Sequence, residues 1–108
     1  AYGTSALREA NNPDEVIMRI ERVTGIKVEA SYGGREAELL QRAVSKVFPL
    51  QTGSFLMADL GGGSLEITIV KNGEIDFAES FRMGTVRLLQ MFPYTPEREL
   101  EFRTWAKS

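Results

Sequence analysis

The sequence predicts an α/β protein made of two units that follow one another along the chain. Helix and strand patterns alternate over residues 1–50 with short connections, which is typical of α/β architecture. Residues 51–108 instead open with three strand patterns in succession before any helix pattern. This change of pattern places the boundary between the two units at the short connector 50–53.

In the first unit the patterns predict strand, helix, strand and helix. Residues 2–7 are predicted as the tail of a strand that runs into a loop at 8–10. Asn12 and Pro13 suit the cap and the first position of a helix, and Gly25 suits its left-handed end. Further along, the patterns predict a strand over 26–30, a loop over 31–34 and a helix over 35–47 whose apolar stripe contains Ala37, Leu40, Val44 and Val47.

In the second unit the patterns predict a three-stranded meander followed by helices. The apolar run 54–60 suits a strand that is covered on both faces, and a second strand follows over 65–70. Asn72-Gly73 is a strong hairpin signal. The later patterns predict a third strand with Ile75, Phe77, Glu79 and Phe81 on one face. A helix that carries Val86, Leu88, Leu89 and Phe92 is predicted next. Thr95 and Pro96 open a last helix, which is predicted to place Leu100, Phe102 and Trp105 in the core.

The composition excludes several kinds of site. The chain has no Cys and no His, so thiol chemistry, a Ser-His-Asp triad and the usual zinc sites are excluded, and a general base is expected to be a carboxylate. A net charge of −2 offers no general attraction to nucleic acid or to an anionic membrane. We find no membrane-spanning run or signal peptide in the sequence and expect a cytoplasmic protein.

The stretch Asp59–Glu66 carries the strongest chemical signal. Two carboxylates flank Gly61, Gly62, Gly63 and the hydroxyl of Ser64, and a hairpin would bring both acids to one end of a sheet. Glycine N–H groups are accessible to an anion, and carboxylates are ligands for Mg²⁺. A magnesium-bound phosphate therefore suits this stretch. The alternative is a glycine-rich hairpin with two exposed acids.

Four segments together resemble one family. Residues 59–66, 3–10, 32–37 and 81–88 resemble, in order and spacing, motifs of the exopolyphosphatase and guanosine pentaphosphate phosphohydrolase family. That family belongs to the actin, Hsp70 and sugar-kinase superfamily, with its ribonuclease H-like, actin-like ATPase fold. The resemblance implies a two-lobed molecule in which residues 1–50 end the first lobe and residues 51–108 open the second with a βββα unit. We expect the chain to be an internal fragment that carries half of the cleft, without the first lobe's own phosphate loop, and to be inactive alone.

The resemblance also assigns roles to individual residues. It makes Glu36 the catalytic glutamate that positions or deprotonates the attacking water, and it makes Arg8 a phosphate contact. Asp59 and Glu66 would hold Mg²⁺, and the loop 61–64 would bind phosphate. The residues alone favour an ordinary acid in the first turn of a helix for Glu36, and Arg8 is equally a surface arginine paired with Glu9 or Asp14.

The expected function is that of a phosphoanhydride hydrolase. Its substrate would be inorganic polyphosphate or guanosine pentaphosphate, whose terminal phosphate is released by magnesium-assisted attack of water. We expect a homodimer for the full-length protein, with no nucleic-acid or membrane partner. The alternatives are a regulatory module that binds nucleotide or polyphosphate without hydrolysing it, an actin-like ATPase piece, and a sugar-kinase-like transferase.

Overall fold

A computed structural model describes residues 1–32 and 34–108 in full, and Gly33 only as the first residue of a helix. The architecture is mixed α/β. In chain order the elements are β1 (Tyr2–Gly3), α1 (Ser5–Arg8), α2 (Pro13–Thr24), β2 (Glu29–Ala30), α3 (Gly33–Val44), β3 (Ser54–Leu60), β4 (Leu65–Lys71), β5 (Glu74–Phe81), α4 (Thr85–Met91) and α5 (Pro96–Trp105).

A two-stranded parallel sheet opens the chain. Tyr2 of β1 lies opposite Glu29 of β2, and Gly3 lies opposite Ala30. Both strands are shorter than predicted: β1 ends at Gly3, where residues 2–7 were expected to be extended, and β2 pairs over two residues of the predicted 26–30. The one-turn helix α1 follows β1 because the N–H of Arg8 donates to the Thr4 carbonyl at 3.0 Å, which closes a helical turn.

Helix α2 has the predicted limits. Pro13 is its first residue, and Gly25 ends it with a φ of 70°, the left-handed conformation that glycine adopts without strain. Asn12 occupies the cap position, but its side chain makes no capping bond and instead donates to the Glu15 carboxylate at 3.1 Å. The residue types thus predicted the place of the cap but not its hydrogen bond.

Helix α3 runs over 33–44, where the pattern predicted 35–47. It begins earlier because the N–H groups of Arg35 and Glu36 both donate to the carbonyl of Tyr32. Gly33, predicted in the preceding loop, lies outside the residues described in full. At the other end the prediction that Val47 continues the apolar stripe is wrong: Val47 follows the helix in a turn and is 75% exposed.

The main sheet is a three-stranded antiparallel meander with the order β3-β4-β5. Strand β3 matches its prediction, and β4 and β5 each extend one residue further into the turn that joins them. Asn72 and Gly73 form this turn with φ values of 51° and 85°, as expected for the hairpin signal. The side-chain amide of Gln41 on α3 donates to the Gly73 carbonyl at 2.7 Å and ties the turn to the helix.

The core lies between one face of this sheet and α3. Buried Leu50, Met57 and Val70 form its centre. The residues packed around them are Leu40, Val44, Phe55 and Ile75. The prediction that β3 is covered on both faces is wrong, because the described residues cover only the α3 side and Leu56 on the opposite face is 68% exposed. The boundary at 50–53 stays a prediction, and the core draws on residues from both sides of it.

A β-bulge changes the faces of β5. Val70 pairs with Ile75, but Ile69 pairs with Phe77, so Asp76 is an extra residue without a partner in the register. The predicted alternation with Ile75 and Phe77 on one face is therefore wrong. Ile75 packs against the core, whereas Phe77 lies on the exposed face. The carboxylate of Asp76 pairs instead with Lys71 at 2.7 Å.

Two helices follow the sheet. Helix α5 begins as predicted, with the hydroxyl of Thr95 accepting from the N–H of Arg98 at 3.3 Å. Phe92, Phe102 and Trp105 form an aromatic cluster with ring centroids 5.3–5.9 Å apart. The prediction that Leu100 belongs to the core is wrong, since this side chain is 71% exposed. No helix in the described part of the chain has the length and apolar character needed to span a bilayer.

Gly84, which precedes α4, lies directly against the turn between β3 and β4. A Cβ at this position would collide with the backbone of Gly62 and Gly63. The close approach matters because it lets the first N–H groups of α4 reach carbonyls of the turn: Thr85 donates to Gly61 and Val86 to Gly62. Glycine is required at 84 by space, not by a positive φ, since its φ is −79°.

The core predicts the effect of truncating Leu50, which is 2% exposed. We expect Leu50→Ala to lower the free energy of unfolding by about 2–5 kcal/mol, because the apolar contacts are lost and a cavity remains. Urea denaturation measures this change. The matched control is Leu100→Ala, for which we expect a change within about 0.5 kcal/mol. Equal losses in the two variants would contradict the assignment of the core.

The packing at Gly84 predicts a second effect on stability. We expect Gly84→Ala to lower the free energy of unfolding by about 1–3 kcal/mol, because the turn 61–64 must move away from the added methyl group. The control is Gly34→Ala on α3, where an added Cβ meets nothing within 4 Å. This control should leave stability unchanged or slightly raised. A Gly84→Ala variant as stable as the wild type would show that the contact is not close.

Candidate functional site

The two acids of the glycine stretch face each other across a strand pair. Asp59 near the end of β3 is the register partner of Glu66 near the start of β4. Directly opposed residues of an antiparallel pair lie about 4.5–5.5 Å apart at Cα and project their side chains from the same face. The hairpin therefore brings the two carboxylates together as the spacing predicted.

The two carboxylates lie in different environments. Asp59 is exposed, whereas Glu66 is buried with 7% of its surface exposed. The hydroxyl of Ser80 on β5 donates to Oε1 of Glu66 at 2.9 Å. Among the described residues, neither acid has an ion pair with Lys or Arg, and no group of three or more metal-ligating side chains is found. Two opposed acids without a cation repel each other, so the chemistry of this donor pair suits a bound cation.

The carbonyl groups of the glycine turn are all directed to one side. In chain order, the carbonyls of Gly61, Gly62 and Gly63 accept from the N–H of Thr85 at 2.9 Å, from the N–H of Val86 at 2.9 Å and from Nε of Arg87 at 2.9 Å. The first two bonds also satisfy backbone N–H groups of the first turn of α4, which have no partner within their own helix. The turn is thus fixed to α4 by three successive carbonyls.

The N–H groups of the same peptides consequently face the other way. In a planar trans peptide the C=O and the next N–H point in opposite directions, and the chain has no cis peptide bond. The N–H groups of Gly62, Gly63 and Ser64 are therefore turned away from α4. In the part of the chain that the structure describes, no hydrogen bond uses these three donors. Successive free N–H groups that point to one side form an anion-binding cradle.

The structure joins the other two predicted site residues in an ion pair. Nη1 of Arg8 donates to Oε1 of Glu36 at 2.6 Å and to the Ser31 carbonyl at 2.6 Å. The two side chains are 17% and 16% exposed. Arg8 therefore pairs with Glu36 and not with Glu9 or Asp14, the neighbouring acids that the sequence offered. Only Oε1 of Glu36 is engaged among the described residues, which leaves Oε2 available.

Helix α1 connects this ion pair with the glycine turn. Ser5 and Arg8 are three residues apart on α1 and lie on the same side of it. The hydroxyl of Ser5 fills the space that a Cβ of Gly63 would need, and Ser5 is buried. The turn and the Arg8–Glu36 pair are therefore placed relative to each other by one short helix, although no hydrogen bond within the described residues links them directly.

Glu9, at the end of α1, makes a further link to α4. Its Oε2 accepts from Nη2 of Arg87 at 2.8 Å and from Nη2 of Arg82. The guanidinium of Arg87, with that of Arg82 beside it, holds the pKa of the Glu9 carboxyl below its usual range. Because the folded-state pKa is lowered, these ion pairs stabilise the fold at neutral pH and are lost only as the pH falls through that lowered value.

The sequence did not single out Ser5, Glu9, Ser80 or Arg87 as parts of the site. Ser5, Glu9 and Arg87 lie within the family-like segments, but their residue types alone do not distinguish them from surface positions. Ser80 could not be found from the hairpin signal, since an unbroken two-residue hairpin would place Glu79 opposite Glu66. The bulge at Asp76 moves Ser80 into that position.

The sequence matches proteins of one known family. The sequence profile described as the Ppx/GppA phosphatase family matches residues 1–107. Exopolyphosphatase 1 of Mycobacterium leprae is 35% identical over 112 aligned positions, which cover 100% of this chain and 33% of that protein. The guanosine-5′-triphosphate,3′-diphosphate pyrophosphatase of Aeromonas hydrophila is 36% identical over 87 positions, which cover 81% of this chain and 17% of that protein.

A solved structure shows the same fold. The crystal structure of an exopolyphosphatase from Cytophaga hutchinsonii superposes with a TM-score of 0.84 at 36% identity, and the match covers 97% of this chain and 35% of that one. This likeness confirms the predicted actin-like ATPase fold. The chain spans about a third of the length of the M. leprae and C. hutchinsonii proteins. With a family match over nearly all of its residues, the chain belongs to the Ppx/GppA phosphatase family.

Proposed function

We propose that the protein to which this chain belongs releases the terminal phosphate of inorganic polyphosphate, of guanosine pentaphosphate, or of both, by magnesium-assisted attack of water. The names of the M. leprae and A. hydrophila relatives support these two substrate classes. Within this chain, the proposal assigns phosphate binding to residues 61–64 and Arg8, the metal to Asp59 and Glu66, and the attacking water to Glu36.

The observation that carries the proposal is the orientation of the glycine turn. Its carbonyls are held by α4, so the N–H groups of Gly62, Gly63 and Ser64 form a cradle on the opposite side. Phosphoryl transfer depends mainly on positioning and on neutralising charge, and preorganised N–H donors supply both without reorganising during the reaction. A bound terminal phosphate would be held in a fixed orientation by these donors.

The acid pair beside the cradle supports a magnesium site. Mg²⁺ in phosphoryl-transfer enzymes is commonly held by one or two carboxylates, with water and substrate oxygens as the other ligands. Asp59 and Glu66 fit this requirement, and Ser80 orients the Glu66 carboxylate through its hydroxyl. When bound, the ion would neutralise charge on the phosphate oxygens.

Glu36 has the chemistry of the base. A carboxylate ionised at neutral pH can accept the proton of a water molecule as its oxygen forms a bond to the terminal phosphorus and the bridging P–O bond breaks. Arg8 holds Oε1 of Glu36 from α1, and the free Oε2 would accept the proton. The same guanidinium carries positive charge beside the base, which suits a phosphate contact as well.

Phosphate release by the full-length protein with Mg²⁺ tests the proposal directly. We expect orthophosphate from polyphosphate, from guanosine pentaphosphate, or from both. Binding of either compound without release of phosphate would overturn hydrolysis and favour the regulatory alternative. If the protein neither binds these compounds nor releases phosphate from them, phosphate recognition by this family member is overturned as well.

Replacing the base should remove most of the activity. We expect Glu36→Gln to lower kcat by about a hundredfold or more, because the amide cannot accept the proton. Glu38→Gln is a matched control, since Glu38 lies one half-turn further along α3 and pairs with Arg35 at the surface. Steady-state phosphate release measures both variants. A Glu36→Gln rate within about twofold of the wild type would show that another group serves the water.

Neutralising one acid of the pair should weaken the binding of Mg²⁺. We expect Asp59→Asn to raise the Mg²⁺ concentration for half-maximal activity by about tenfold or more, because one anionic ligand is lost. Asp76→Asn is the control in the same sheet, where the acid pairs with Lys71. Activity is titrated with Mg²⁺ in each protein. An unchanged titration for Asp59→Asn would remove Asp59 from the metal site.

A further inference from the structure

We propose that Arg87 is a positioning residue for the phosphate cradle, and that Glu9 holds it in place. The proposal rests on the function proposed above and names a group that this function has not used. Arg87 need not touch the substrate in this role. It acts through the Gly63 carbonyl, and so through the direction of the next N–H group.

The side chain of Arg87 holds one carbonyl of the glycine turn. Two of the three carbonyls of the turn are held by backbone N–H groups of α4, but the third, that of Gly63, is held by the side chain of Arg87 through Nε at 2.9 Å. The peptide that carries this carbonyl also carries the N–H of Ser64. Since the two groups point in opposite directions, fixing the carbonyl fixes the Ser64 N–H on the substrate side.

Glu9 holds the guanidinium of Arg87 in this position. Its Nη2 donates to Oε2 of Glu9 at 2.8 Å while its Nε remains on Gly63. A planar guanidinium can present two donors in fixed directions, whereas the ammonium of lysine is a single point charge. The side chain of Arg87 is 28% exposed and that of Glu9 26%, so the pair is partly shielded from water.

The end of α1 links the cradle to the base. Glu9 and Arg8 are neighbours at the end of α1, where Arg8 holds Glu36 and Glu9 holds Arg87. Adjacent residues of one helix thus place the water-activating carboxylate and the last donor of the cradle. Loss of the Arg87 bond is expected to release the Ser64 N–H without disturbing the Arg8–Glu36 pair.

The chain offers a matched control in Arg82. It donates to the same Glu9 oxygen but makes no hydrogen bond to the turn within the described part of the chain, and its side chain is 73% exposed. Arg87→Lys and Arg82→Lys keep the net charge and keep a cation near Glu9. Only the first removes the bond to Gly63.

The test uses the full-length protein with polyphosphate as substrate. We expect Arg87→Lys to raise KM about tenfold or more with kcat within about threefold, since a donor to a bound anion is lost from ground state and transition state alike. Arg82→Lys should leave both constants within about twofold. Glu9→Gln weakens the bond that holds Arg87 and should raise KM by a smaller factor. This variant replaces Arg87→Lys in the test if Arg87→Lys does not fold.

A second readout does not depend on activity. The amide of Gly61 donates to the Ser64 carbonyl at 2.9 Å, so a loosened turn exposes it to solvent exchange. Hydrogen exchange of the ligand-free protein should be faster at Gly61 in Arg87→Lys and unchanged in Arg82→Lys. If Arg87→Lys raises KM but leaves this exchange unchanged, Arg87 contacts the substrate directly and the positioning role is wrong.

The remaining outcomes are also decisive. Equal effects of Arg87→Lys and Arg82→Lys would overturn the proposal, because they would trace the effect to Glu9 alone. If the wild type releases no phosphate, the proposed function fails, and inorganic tripolyphosphate binding by calorimetry replaces KM. The positioning role then stands if Arg87→Lys weakens binding about tenfold and speeds exchange at Gly61. Unchanged exchange overturns it whatever the activity.

Discussion

The site depends on the hydrogen bonds that fix the glycine turn to α4. Three successive glycines allow many backbone conformations, so the turn does not hold its N–H donors in one direction by itself. The unsatisfied N–H groups at the start of α4 and the guanidinium of Arg87 take up the turn's carbonyls. The absence of a side chain at Gly84 permits the approach. One set of contacts therefore completes a helix terminus and orients an anion cradle.

The same hairpin also places the two acids beside the glycine turn. Asp59 and Glu66 oppose each other because β3 and β4 form a hairpin that closes at the glycine turn, so the proposed metal-ligating and phosphate-binding groups belong to one hairpin. Glu66 is buried beside Ser80, which gives its carboxylate a fixed partner, while Asp59 remains exposed to solvent. A buried, oriented acid next to an accessible one suits a cation that exchanges with water and carries its own substrate ligands.

The first half of the chain mainly positions the residues of the candidate site. Helix α1 has a single turn, yet it contacts the glycine turn through Ser5 and the proposed base Glu36 through Arg8, and its C-terminal cap Glu9 contacts α4. The proposed base lies in the first turn of α3, and the remainder of α3 packs on the sheet that carries the two acids. The relative placement of Glu36, the glycine turn and the acid pair is thus set by packing between segments that are far apart in sequence.

The sequence by itself determined most of the elements and the meeting of the two acids. An apolar run predicted β3, the cap residues predicted the limits of α2, the Asn72-Gly73 pair predicted its turn, and the spacing of Asp59 and Glu66 predicted that they meet, because each of these depends on local backbone preference. The tertiary structure alone decided the rest. The bulge at Asp76 put Ser80 in place of Glu79 beside Glu66, Arg8 paired with Glu36 across 28 positions, and Arg87 took the Gly63 carbonyl. These contacts join distant segments whose meeting is fixed by packing, a property of the whole fold that local patterns do not encode.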